Sequence, residues 1–310
     1  MPAKHLIIVA GPTAIGKTAL SVALAKHYHC PVLSADSRQF FKEMTIGTAK
    51  PTEEEMQGVK HYFIDSHSIT EEYNVGKFET EALALLEQLF RKHDKIILTG
   101  GSGLYIDAIC KGFDELPEAD AEIREQISTL YKNEGLPGLQ NLLQKLDPDY
   151  YSSVDLQNPQ RISRALEVCL AAGAPYSTLR KGKSNARNFK TIKIGLNTDR
   201  EILYNRINAR VDIMMEQGLL KEAENLLPYR HLNALQTVGY KELFDFFDKK
   251  TDLKTAVELI KQNTRRFAKR QLTWFRRDAE MKWFAPEQGN AIIAYIDSSV
   301  IPGEAEGSFE

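Results

Sequence analysis

Near the start of the chain, Gly11-Pro12-Thr13-Ala14-Ile15-Gly16-Lys17-Thr18 completes the pattern GxxxxGK[ST] between an apolar run and a helical pattern. Glycines at these spacings let backbone N–H groups turn inward around phosphate oxygens, and the following helix adds the positive end of its dipole. Lys17 supplies a point charge, and the Thr18 hydroxyl can ligate Mg²⁺. The eight residues predict a phosphate-binding loop. They leave the reaction open, because ATPases, GTPases, small-molecule kinases and some transferases share such a loop. The run Ile96-Ile97-Leu98 leads into Thr99-Gly100-Gly101, where hydrolytic NTPases carry an acid for Mg²⁺. That substitution weighs against hydrolysis.

A second set of polar groups, Asp36-Ser37-Arg38-Gln39, follows the short apolar segment Pro31–Ala35. A carboxylate there can accept a proton or hold Mg²⁺ through water, or simply cap a turn. Ser37 and Gln39 have the donors and acceptors to bind a base edge. Gly101-Ser102-Gly103 reads equally as a second phosphate loop or as a tight turn that permits close packing.

Positive charge is concentrated although the whole chain is at −2: Lys261–Lys282 holds eight basic residues against two acids. At helical spacing Arg266, Lys269, Arg270, Thr273 and Arg277 share one face, with Ala268, Leu272 and Phe275 opposite. A second basic run extends from Arg180 through Lys181 and Lys183 to Arg187 and Lys190, and Arg161 and Arg164 lie one helical turn apart. Patches of this kind suit a polyanion larger than a nucleotide, or else a solvated face.

These groups need elements to hold them. Continuous apolar runs at 6–10, 31–35 and 96–98 alternate with helical patterns at 17–28 and 77–92, which predicts a parallel sheet with helices on both faces. Ligands bind beyond the carboxyl ends of such strands, so Gly11, Asp36 and Gly100 are expected to converge. Helical stretches at 120–132, 137–146 and 158–172, separated by Gly and Pro breakers, predict an all-helical insertion. Strand 191–196 then returns to the sheet, and Asp199 is read as the N-cap of a helix over 200–217. A long helix spans 253–277, a short strand 291–296, and the tail frays after Pro302. The expected class is therefore α/β, a P-loop NTPase-like parallel sheet flanked by helices. Its catalytic core is expected to start over residues 1–117, give way to the helical insertion over 118–190, and resume over 191–310.

Cys30, Cys110 and Cys169 lie far apart in sequence and form no metal-binding or disulfide pattern. No signal peptide or membrane-length apolar run is visible, so a cytoplasmic protein without a membrane partner is expected.

Together GPTAIGKT (11–18), DSRQ (36–39), IGTAKP (46–51), GGSGLY (100–105), NPQRISRALE (158–167), GYKE (239–242) and TRRFAKRQLTWFR (264–276) resemble bacterial-type tRNA dimethylallyltransferases, also called tRNA isopentenyltransferases. These motifs stand in family order and cover residues 6 to about 284. The resemblance implies that the loop Gly11–Thr18 holds the diphosphate of dimethylallyl diphosphate, with Mg²⁺ on Thr18. It implies transfer of the isoprenoid to the exocyclic amino nitrogen of the adenosine 3′ to the anticodon. Asp36 would be the general base, and Lys17 and Arg210 would meet the departing diphosphate. Contacts to the tRNA anticodon stem-loop would come from Asp36, Ser37, Arg38, Gln39, Ser102, Arg124, Gln160, Arg161, Ile162, Ser163, Arg164, Arg266, Lys269 and Arg270. A monomer is expected. Departures are small: Ile15 replaces the usual Ser, Ser102 the commoner Thr, and no Cys/His finger follows the core. The competing readings are a P-loop kinase of a small metabolite and a nucleotide-dependent RNA-binding switch.

Overall fold

In the computed structural model, which describes residues 3–114, 116–180 and 186–300, the apolar runs become strands of one sheet. Strands β1 (His5–Ala10), β2 (Val32–Ser34), β3 (His61–Tyr62), β4 (Lys95–Gly100), β5 (Lys190–Leu196) and β6 (Lys282–Phe284) stand in the order β3-β2-β4-β1-β5-β6. Every neighbouring pair is parallel. All six residues of β1 are buried, because both faces are covered. Its side chains alternate between two cores: Leu6, Ile8 and Ala10 join one, Ile7 and Val9 the other.

The chain divides into two compact units, one formed by residues up to Cys110 and from Arg187 onward, the other by Lys111–Ala186. In the first, α1 (Lys17–Tyr28), the short α2 (Glu53–Met56), α3 (Val75–Phe90) and α4 (Gly103–Lys111) follow the early strands. Leu20 and Leu24 of α1 cover one face of the sheet, while Phe78, Ala82 and Leu86 of α3 cover the other. The second unit holds α5 (Ala121–Leu146), α6 (Pro148–Ser153), α7 (Pro159–Ala172) and α8 (Tyr176–Leu179). Its own core comprises Ile127, Leu139, Leu143, Ile162, Ala165 and Leu166. Gly135, at φ 66° and ψ −157°, breaks α5 where the sequence places a breaker. Returning to the first unit, α9 (Arg200–Glu216), α10 (Leu219–Leu226), α11 (Tyr240–Phe247), α12 (Leu253–Phe275) and α13 (Gly289–Val300) complete the chain.

Two sequence expectations are corrected. The run 291–296 is helical, within α13, and its buried residues Ile292 and Ile296 are four apart. An apolar run of six cannot be assigned to strand or helix by periodicity alone; the sheet is instead completed by Lys282–Phe284, which pairs with β5. Asp199 precedes α9, but its side chain makes no capping hydrogen bond; its backbone carbonyl accepts from Leu203 N at 3.0 Å. The expected fraying after Pro302 and the basic residues Lys181 and Lys183 lie outside the described residues.

Where β4 ends, a Cβ built on Gly100 would stand 2.4 Å from the carbonyl oxygen of Ala35, at the end of β2. The obstacle is backbone and cannot rotate away. Gly100→Ala should therefore lower the unfolding free energy by about 1–3 kcal/mol in urea titrations. An unchanged midpoint would show that the two strand ends part without cost.

Candidate active site

Parallel register brings the expected residues together. Ala10 pairs with Gly100 and Ser34 with Thr99, so the loop after β1, the segment after β2 and the turn after β4 leave the same edge of the sheet. The loop Gly11–Thr18 opens into α1. Its Ile15, which stands where the resembled family has Ser, is fully buried in the core beneath. Lys17 Nζ donates to the Pro12 carbonyl at 2.8 Å, and Arg210, brought from α9, donates from Nη1 to Thr13 Oγ1 at 3.3 Å. Burial pushes the Lys17 ammonium down to about 8; the Asp36 carboxylate opposes that shift and Arg210 adds to it. Burial lowers Arg210 as well, against the pull of Glu55. The site thus holds two desolvated cations, with Asp36 acting on one and Glu55 on the other, an arrangement that an incoming polyanion would stabilise.

Asp36 accepts from the backbone N–H of Arg38 at 3.0 Å, an Asx-type turn that aims the segment. Burial lowers the Arg38 guanidinium, with Tyr105 and Asp36 opposing. Ser102 links the neighbouring turn to this segment: its Oγ accepts from Ser37 N at 3.0 Å and donates to Ser37 Oγ at 3.1 Å. Gln39 is committed inside the protein. Its Oε1 accepts from Ser34 Oγ at 3.2 Å, and its Nε2 donates to the Thr48 and Ala49 carbonyls at 3.2 and 3.1 Å.

Those carbonyls belong to the loop of the IGTAKP motif, which is anchored by a residue that sequence reasoning missed. The Glu222 carboxylate accepts from the backbone N–H groups of Thr45, Ile46 and Gly47 at 3.0, 2.8 and 2.9 Å, and from Tyr240 Oη at 2.7 Å. A carboxylate is the one side chain that can accept from four donors at once. Tyr240, of the GYKE motif, is fully buried, and burial first, then Glu222, drives its phenol pKa far up. Lys50 of the same loop is buried and donates to the Phe41 carbonyl at 2.8 Å and to Asp65.

As a metal site the donor set is sparse. Thr18 offers a hydroxyl and Asp36 a carboxylate, and among the described residues no group of three His, Cys, Asp or Glu gathers. That suits Mg²⁺, which keeps several waters and takes one or two protein ligands beside phosphate oxygens.

The other expected RNA contacts separate by location. On α12, Arg266, Lys269 and Arg270 are exposed, as the helical spacing predicts, while Ala268 and Phe275 are buried. In the helical unit Arg124, Gln160, Arg161 and Arg164 are exposed, Ser163 is half-buried, and Arg164 lies 3.5 Å from Glu167. Ile162 is corrected: it is fully buried among Leu139, Leu143 and Leu166, because it occupies the apolar stripe of α7.

A second residue missed from sequence is Gln271. It sits on the buried face of α12 between Ala268 and Phe275, only 6% exposed. The signal was a polar residue at an apolar spacing. Its Oε1 accepts from Thr13 N at 2.9 Å, and its Nε2 donates to the Gly101 carbonyl at 2.9 Å.

The profile of the family described as IPP transferase matches residues 39–278. The chain is 57% identical over 300 residues to the tRNA dimethylallyltransferase of Flavobacterium johnsoniae, covering 94% of this chain and 97% of that protein. It is 48% identical to tRNA dimethylallyltransferase 1 of Bacteroides fragilis, covering 97% of this chain and all of that protein. Among solved structures, the tRNA isopentenylpyrophosphate transferase of Bacillus halodurans superposes with TM-score 0.72 at 36% identity, covering 96% and 97% of the two chains. A eukaryotic dimethylallyltransferase acting on tRNA superposes with TM-score 0.76 at 26% identity, over 96% of this chain and 78% of that one.

Lys17 gives the site a pH signature. Its ordinary pKa is 10.5 and its folded value about 8, so between those values the unfolded chain holds the proton and the folded chain does not. Stability from this group therefore rises as pH climbs from about 8 toward 10.5, and the burial cost is fully present below 8. Lys17→Met should be the more stable protein at pH 7, with an advantage that shrinks by about 2–3 kcal/mol on going to pH 10.5. Urea unfolding of both proteins across that range measures it, and a pH-independent difference would mean that Lys17 is solvated.

Proposed function

The chain belongs to the IPP transferase family, and we propose that it moves the dimethylallyl group of dimethylallyl diphosphate onto the exocyclic amino nitrogen of the adenosine 3′ to the anticodon of tRNA, releasing diphosphate. The observation that carries the reading is the convergence at the loop after β1 of two half-buried cations, Lys17 and Arg210, with the Asp36 carboxylate acting on Lys17 and Glu55 on Arg210. A hydrolase would add an acid at the end of β4, where this chain has Gly100 and Gly101.

The chemistry needs what these groups offer. The allylic C–O bond breaks as the C–N bond forms, and negative charge develops on the departing diphosphate. Loop amides, Lys17 and Arg210 are placed to stabilise that charge electrostatically. Mg²⁺ on Thr18 would add further neutralisation of the diphosphate when bound. Asp36 takes the proton that the amino nitrogen loses. The adenine must leave its stack to reach the allylic carbon, which favours an unpaired loop substrate. Ser37 and Arg38 stand beside Asp36 to receive the base, while Gln39 shapes the segment through its internal bonds. The exposed arginines of α7 and the basic face of α12 provide phosphate contacts for the RNA.

Asp36→Asn should lower kcat by about 100-fold or more while leaving tRNA affinity nearly unchanged, as expected on losing a general base. Unchanged transfer would remove Asp36 from that role. Changing Arg161 and Arg164 to Ala should weaken tRNA binding and reduce the salt dependence of log Kd by about 2. Identical salt slopes would mean that α7 does not touch phosphate. The defining assay combines the protein, Mg²⁺, radiolabelled dimethylallyl diphosphate and unmodified tRNA without ATP. Label on the adenosine next to the anticodon is the expected outcome; phosphorylation of a small acceptor by γ-labelled ATP, with no such label, would favour a kinase.

A further inference from the structure

We infer that Gln271 is a positioning residue that clamps the phosphate loop to the turn after β4, and so fixes where the diphosphate sits relative to the base-handling segment. The inference rests on the proposed reading of Gly11–Thr18 as a diphosphate loop. The clamp is built from α12. Gln271 and Trp274 lie one turn apart on its inner side. Gln271 accepts from Thr13 N and donates to the Gly101 carbonyl, both at 2.9 Å, which joins two loops that leave different strands. Trp274 Nε1 donates to Asp107 Oδ2 at 2.9 Å, tying the same helix to α4, which begins at the end of that turn.

The fit at Gly101 is specific. A Cβ built there would lie 2.2 Å from Gln271 Nε2, so the turn can approach the amide only as glycine. The turn then passes the constraint on, because Ser102 holds both the N–H and the hydroxyl of Ser37, next to Asp36. A line of hydrogen bonds therefore runs from Thr13 through Gln271 and Gly101–Ser102 to Ser37. Its two ends are the arm that meets phosphate and the arm that carries the carboxylate. Gln271 suits this position because one side chain presents both an acceptor and a donor; neither Glu nor Met can do so. Gln271 touches no reacting atom in this arrangement, and its effect is exerted through Thr13 and Ser102. It also explains two motifs together, since the Gln and Trp of RQLTWF face the GGSGLY turn.

The test compares Gln271→Met, which keeps volume and loses both bonds, with Gly101→Ala, which should displace the amide. Inorganic diphosphate binding is measured by calorimetry, tRNA binding by filter retention, and transfer by steady-state kinetics. The expected result is roughly tenfold or greater loss of diphosphate affinity and kcat in both variants, from two lost hydrogen bonds, with tRNA affinity unchanged. The split matters because general loosening would weaken tRNA binding as well. Gln271→Met that binds diphosphate like the parent, that loses tRNA affinity in parallel, or that fails to fold would each overturn the positioning role. A parent protein that binds diphosphate yet transfers no prenyl group would refute the proposed reaction and leave the clamp standing.

Discussion

Strand β4 ends without side chains, and the site depends on that. At Gly100 the backbone passes so close to the Ala35 carbonyl that any Cβ would collide with it. This contact sets the separation of the β2 and β4 ends, and with it the distance at which Ser102 meets Ser37. The loop after β1 is held from the third direction by hydrogen bonding in register with β4 and by the amide of Gln271. Three segments that could each move are thus fixed by backbone contact and short hydrogen bonds. A catalytic centre assembled from loops needs such support, because displacement of about 1 Å can cost two orders of magnitude in rate.

Charge is arranged to be incomplete. Lys17 and Arg210 are both desolvated, and each is held below its ordinary pKa by that burial. Lys17 bonds a carbonyl and Arg210 a hydroxyl, rather than a carboxylate. Elsewhere covered cations meet carboxylates: buried Lys193 lies 2.8 Å from Asp278, and half-buried Arg187 lies 2.6 Å from Glu79. The contrast separates cations paired with a carboxylate from cations bonded only to neutral oxygens.

The motifs away from the chemistry acquire physical reasons. IGTAKP forms a loop whose N–H groups converge on Glu222 and whose carbonyls take the Gln39 amide, so it supports the Asp36 segment from below. GYKE contributes Tyr240 to the same carboxylate, and Glu242 accepts from Gly239 N at 2.8 Å and Asn263 Nδ2 at 2.7 Å. The conformation of one loop is thereby shared among residues almost two hundred positions apart. No helix among the described residues is long and apolar enough to cross a membrane.

By itself the sequence determined the parallel strands β1, β2 and β4, the glycine-containing loop that opens into α1, the all-helical segment and the basic face of α12. Each is written in local spacing: continuous apolar runs, glycines at fixed offsets, or charges repeating every three to four residues. It was ambiguous at 291–296, where six apolar residues serve strand or helix equally, and it overlooked the three-residue β6. It placed Ile162 with the RNA contacts because a motif names neighbours, whereas the helix turns that side chain into the core. What only the tertiary structure decided is the linkage of distant residues: Glu222 beneath residues 45–47, and Gln271 between Thr13 and Gly101. A hydrogen bond spanning 170 or 258 positions leaves no periodic trace, since its partners become neighbours only after the sheet sets their register.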